Sequence, residues 1–181
     1  MSTPPLRRTI RIRSVSRAYR AGAGSCTAEV NALDGATLEI RGGEVLVVAG
    51  PRGSGKTTLL LCAAGLLRCD SGMIDAGLPV MYRDLSRPES SLDWPEDAAI
   101  FLDSIDRSPA EVRGLLPDRV QSALTNRCAI VLAGREAADC LSLAPPDSTI
   151  AIVHLRLGRI APSGVAAFHR VAEGTSQVKR R

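Results

Sequence analysis

One octapeptide, Gly50-Pro51-Arg52-Gly53-Ser54-Gly55-Lys56-Thr57, constrains this chain more than any other stretch. It satisfies G-x-x-x-x-G-K-[ST] at every position. A continuous apolar run, Glu44–Ala49, precedes it, and a strongly apolar helical stretch from about Lys56 to Leu67 follows. Strand, glycine-rich turn and helix together let successive backbone N–H groups converge on phosphate oxygens at a helix N-terminus. The lysine can then reach the β- and γ-phosphates as a point charge, and the threonine hydroxyl can ligate Mg²⁺. The predicted phosphate-binding set is Gly50, Pro51, Arg52, Gly53, Ser54, Gly55, Lys56, Thr57 and Thr58. The competing reading is a glycine-rich turn that binds nothing. Composition weakens it: of the 23 Lys+Arg residues only Lys56 and Lys179 are lysines, and the one in mid-chain falls on the motif.

A second apolar run, Ala98–Asp103, ends in a carboxylate that can hold Mg²⁺ beside the loop, which makes Thr57 and Asp103 the expected metal-side pair. Further buried runs at Cys128–Ala133 and Thr149–Leu155 alternate with helical segments at Asp118–Thr125 and Glu136–Leu143. Ser108-Pro109-Ala110-Glu111 reads as a capping box that starts another helix. Alternating strands and helices predict a parallel, doubly wound α/β core. Before that core the chain reads as antiparallel β: a strand near Thr9–Ser16, a turn at Ala21–Ser25, and strands at Glu29–Leu33 and Ala36–Ile40 joined at Asp34-Gly35. Short strands are expected at Met73–Asp75, Pro79–Tyr82 and Arg159–Pro162. At 181 residues the whole is expected to be a single domain, with an antiparallel part at 10–41, the α/β core at 44–162 and a basic tail at 172–181.

No apolar run is long enough to span a bilayer, and the arginines of the first twenty residues have no apolar stretch behind them, so no secretory leader is expected. That basic arm could touch phosphates or an anionic membrane. However, Thr9–Val15 alternates with period two, which fits a strand with one solvated arginine face, and nucleic acid is not the expected partner. The five cysteines include no C-x-x-C pair and suggest a reducing cytosol, not disulfides or zinc.

These residues resemble the ATP-binding cassette (ABC) ATPases. Val15–Arg20 and Val30–Val45 are similar to the family's N-terminal antiparallel subdomain leading into the Walker A loop. Ala64–Ile74 and Val153–Ile160 are similar to its later segments. The resemblance implies a P-loop NTPase core, ATP and Mg²⁺ as ligands, and Tyr19 as the ring that stacks on adenine. It also implies a cytoplasmic location, at the membrane periphery where a membrane-protein or ATPase partner subunit holds it. The departures are equally specific. Only 47 positions separate Lys56 from Asp103, too few for the family's helical signature subdomain, and no L-S-G-G-Q-like signature is present. The only glutamines are Gln121 and Gln177, and Tyr82-Arg83 stands where the Q-loop would begin. Ser104 occupies the place of the water-polarising glutamate, and Arg135 that of the switch histidine, while His154 and His169 read as packing or surface residues.

Without a signature subdomain, a symmetric ATP sandwich made with a second copy is not expected. ATP binding is expected, with hydrolysis weak or dependent on a partner, and the ATP-binding part of a transporter is one role that fits. The alternatives are a non-hydrolysing nucleotide-dependent interaction module, a small P-loop kinase without a visible lid, and a nucleic-acid contact through the arginine arm.

Overall fold

The computed structural model describes residues 9–21, 28–87, 93–156 and 159–160. Most of the turn expected at Ala21–Ser25, together with Cys26, His169 and the tail at 172–181, lies outside them. The chain opens with β1 (Thr9–Ala21), on which Ile10 and Ile12 are buried and Arg13 is exposed, as period-two alternation requires. A register shift between Ile12 and Val15, with Ser14 at φ 49°, turns Val15 inward where Ser14 would otherwise point. The next stretch, expected as two strands with a turn at Asp34-Gly35, is instead one strand, β2 (Ala28–Arg41). Both halves find the same antiparallel partner, β1, and Gly35 at φ 64° absorbs the extra residues as a bulge between the Val15↔Ala36 and Arg17↔Leu33 pairs. Leu33, Ala36 and Ile40 are all buried, so one straight strand covers more core than a hairpin would.

The first buried run forms β3 (Glu44–Ala49), followed by α1 (Lys56–Ala63). The helix stops short of Leu67 because Gly65, at φ 71°, closes it, and Leu66 is left exposed. β4 (Ser71–Ala76) returns to pair with β1, giving a three-stranded antiparallel sheet ordered β2-β1-β4. Beyond it come β5 (Val80–Asp84), β6 (Ala99–Asp103), a 3₁₀ turn at Ile105–Arg107, α2 (Ala110–Thr125), β7 (Ala129–Gly134), α3 (Ala137–Leu141), β8 (Thr149–Arg156) and β9 (Arg159–Ile160). α2 is one helix with Pro117 inside it, not two segments, and Pro109 stands at its N-cap without a side-chain cap. The Ser108 hydroxyl donates to Ile105 O at 2.8 Å, so the expected capping box serves the preceding turn.

The second sheet is ordered β5-β6-β7-β3-β8-β9; β5, β6, β7, β3 and β8 run parallel and β9 is antiparallel. Leu46, Val48, Phe101 and Val131 pack on one side with the inner faces of β1, β2 and α1. Val45, Val47, Ile100, Leu102, Ile130 and Leu132 pack on the other with Leu116, Val120 and Cys140 of α2 and α3. Burial on both faces explains why these strands read as continuous apolar runs. Among the described residues no helix is long and apolar enough to cross a membrane.

Candidate phosphate-binding site

The loop between β3 and α1 lies at the C-terminal edge of the central strand, and two glycines fix its path. A side chain at Gly55 would collide with Ala32 O on β2, and its φ of 95° is the left-handed region. A Cβ at Gly50 would collide in the same way with Leu155 O. Gly50 N–H donates to Arg135 O at 3.3 Å, tying the loop to the end of β7. α1 begins with no side-chain cap and no acid in its first turn, so its N-terminal N–H groups and positive dipole end are left for an anion. Thr58 is buried, which leaves its backbone N–H as its contribution to that turn. Lys56 Nζ donates to Gly50 O at 2.7 Å and Pro51 O at 2.9 Å. Burial lowers its ammonium below the ordinary lysine range, against the opposing pull of Asp103 and Asp106. Ser54 Oγ is buried with no hydrogen-bond partner among the described residues.

Asp103 ends β6 at 2% exposure, and its carboxylate accepts three hydrogen bonds. Thr57 Oγ1 donates to Oδ2 at 2.6 Å, Tyr82 Oη to Oδ2 at 3.1 Å, and Ser104 N–H to Oδ1 at 2.7 Å. The two residues predicted as a metal-side pair are thus in direct contact. Burial, then the neighbouring Asp103, push the Tyr82 phenol well above its ordinary range, so it remains a donor. Among the described residues no group of three His, Cys, Asp or Glu could hold a metal alone. One hydroxyl and one carboxylate fit Mg²⁺, which is held by few protein oxygens and completes its shell with water and phosphate.

Sequence reasoning missed Tyr82 as a site residue. Its place follows from the β5–β6 register, Tyr82↔Phe101, which no local pattern announces. Ser104 adopts φ 61°, ψ 38°, and its hydroxyl accepts from Arg107 Nη2 at 2.8 Å. Asp84 lies opposite Asp103 in the ladder. Burial favours its neutral form, but hydrogen bonds from Ser86 and Ser104 hold it below the usual carboxylate range. A cleft of about 220 Å³ gathers Arg52, Lys56, Thr57, Asp103, Arg107 and Arg135.

Tyr19 borders a separate hollow of about 390 Å³ that shares no lining residue with this cleft. The ring is 41% exposed, with Arg17 Cζ stacked 5.1 Å from its centroid. Asp70 holds this end of β1, accepting from Arg17 Nη1 at 2.5 Å and from Ala18 N–H at 2.7 Å. His154 stands exposed on β8, away from any assigned role.

Residues 33–105 match the family model described as ABC transporter. A probable amino-acid import ATP-binding protein of Bacillus subtilis is 53% identical over 45 residues, 25% of this chain and 18% of its own length. A methionine import ATP-binding protein of Bartonella henselae is 38% identical over 74 residues, 41% of this chain and 19% of its own length. The chain thus matches less than a fifth of these relatives. In fold, the ADP conformation of an ATP-binding cassette of an ABC transporter superposes with a TM-score of 0.61 at 14% identity, covering 84% of this chain and 89% of that one. Over residues 33–105 the chain is similar to the ABC transporter family, and its fold is that of an ATP-binding cassette. Its β5 and β6 are joined by residues 85–98, and the described residues of that link include no helix.

Proposed function

We propose that this cassette binds ATP with Mg²⁺ at Gly50–Thr58 and Asp103 and hydrolyses it slowly or only with a partner. The observation that carries the reading is the 2.6 Å contact between Thr57 of the loop and Asp103 of the neighbouring motif, at an uncapped helix N-terminus. The loop N–H groups and Lys56 would bind the phosphates, and Tyr19 would offer a ring face to the base. Thr57 and Asp103 would hold Mg²⁺, which when bound neutralises charge on the phosphate oxygens. Tyr82 and the Ser104 amide keep the Asp103 carboxylate aimed at that position.

No carboxylate stands at position 104 to orient a water, and the Ser104 hydroxyl is engaged by Arg107. Losing such a group typically costs about 10² to 10⁴-fold in rate. The relatives named as import ATP-binding proteins favour the ATP-binding component of a transporter, peripheral to a membrane-protein or ATPase partner. The short link at 85–98 favours a second reading, a nucleotide-dependent interaction module that does not turn over. Titrating Mg-ATP into wild type and Lys56→Ala while following phosphate release tests both. Equal affinity in the two proteins would overturn nucleotide binding at this loop. Tight binding without phosphate release selects the module, and turnover abolished by Asp103→Ala selects the ATPase.

A further inference from the structure

Two arginines flank the cleft, each tied to one of its motifs. Arg135 follows β7 directly, and its carbonyl accepts the Gly50 N–H, so its backbone is fixed to the first residue of the loop. Arg107 closes the 3₁₀ turn after β6 and donates to Ser104 Oγ at 2.8 Å, one residue from Asp103. Both residues line the hollow that Lys56 and Thr57 also line. Both side chains are exposed, and Arg107 lies in the field of Asp84, whose charged form it favours. Four cations, Arg52, Lys56, Arg107 and Arg135, line this cleft against two carboxylates, Asp103 and Asp106. Gathering like charges is unfavourable until an anion enters, and Arg107 already opposes the charged form of Lys56.

We propose that Arg107 and Arg135 form a second clamp that selects nucleoside triphosphates over diphosphates by engaging the terminal phosphate. The proposal rests on nucleotide binding at the Gly50–Thr57 loop. Guanidinium forks match phosphate oxygens with two parallel N–H···O bonds, which a lysine cannot do. The loop and Lys56 serve the phosphates next to the helix, and the two arginines approach from the ends of β6 and β7, across the cleft. A diphosphate lacks the group they would reach. Arg107 also puts a positive charge beside position 104. There it favours retention of the anion and offers no base for its cleavage, so the triphosphate is held more than it is consumed.

Calorimetric titration of Mg-ATP, its non-hydrolysable imido analogue and Mg-ADP into wild type, Arg107→Gln/Arg135→Gln and Lys56→Ala tests this. The wild type is expected to bind both triphosphates at least about tenfold more tightly than ADP. In the double variant that ratio should collapse towards one, because the triphosphates lose the larger share of affinity. Circular dichroism and thermal melting confirm that the variant is folded, as the exposure of both side chains leads one to expect. A triphosphate-to-diphosphate ratio unchanged in the double variant, or near one in the wild type, overturns the clamp while leaving the loop's role intact. If the wild type binds no nucleotide, or Lys56→Ala binds as tightly as wild type, the reading beneath it fails instead.

Discussion

At residue scale, Lys56 and Tyr82 carry the sharpest expectations. Truncating Lys56 to alanine removes the ammonium that two loop carbonyls now hold. Charge-assisted bonds to phosphate contribute about 1.5–3 kcal/mol, so ATP affinity should fall about ten- to a hundredfold by calorimetry while the melting temperature changes little. Tyr82→Phe removes one of the donors to a buried carboxylate and should lower unfolding free energy by about 0.5–1.5 kcal/mol in urea titration. The phenol also sets a pH dependence. Its neutral form is favoured in the fold, as are the thiols of Cys62, raised to about 11, and Cys140, raised to about 12. Raised values mean that stability is fully present below the ordinary thiol range, near pH 8.5, and declines as pH climbs beyond it. Unfolding free energy measured from pH 8 to pH 11 should therefore fall, with a shallower slope above pH 10 in Tyr82→Phe. Lys56, Thr57 and Asp103 were legible in the sequence because each sits in a contiguous pattern. Tyr82, the Arg107–Ser104 bond and the Asp70 clamp on β1 were not, since they join residues through strand register and turn geometry.

At the scale of elements, the buried strands were legible for the same reason that they are central. Apolar on both faces, they admit no amphipathic ambiguity. Local signals give way where a partner strand decides the outcome. Asp34-Gly35 is a good hairpin signal locally, yet β1 runs beside both halves and keeps the chain straight. The sequence around Met73–Asp75 announces a short strand but no sheet, and the place of β4 beside β1 depends on pairings such as Ile12↔Ile74. α2 offers a test of local preference against context. Gly114 lies inside it, where an added methyl group would meet nothing within 4 Å, and Pro117 sits within it on an exposed face. Gly114→Ala should add about 0.5–1 kcal/mol, raising the melting temperature by about 1–4 °C. Gly55→Ala should do the reverse, because the new methyl meets the Ala32 carbonyl in a left-handed backbone; both thermal stability and ATP affinity should drop.

Across the whole molecule, the two sheets share one core. Ile10, Ile12 and Leu33 of the antiparallel sheet pack with Leu46, Leu59 and Phe101 of the α/β part. Trp94, the sole tryptophan, packs instead against the cluster on the opposite face of the parallel sheet. Ile12→Ala, at a site 1% exposed, should cost about 2–5 kcal/mol. If the chain is a single cooperative domain, Trp94 fluorescence and far-ultraviolet circular dichroism will shift together in that variant. Separated transitions would mean that the antiparallel sheet melts on its own.

The position of β3 also dictates an order of events during synthesis. It leaves the ribosome before either of its neighbours, for Val45 pairs with Ile130 on one side and Ile150 on the other. A strand apolar on both faces must therefore wait, unpaired, while everything between Ala49 and Ala129 is made. Long-range parallel pairing is slow and leaves sticky surface in the interval. A nascent chain stalled before β7 is the species most in need of a chaperone.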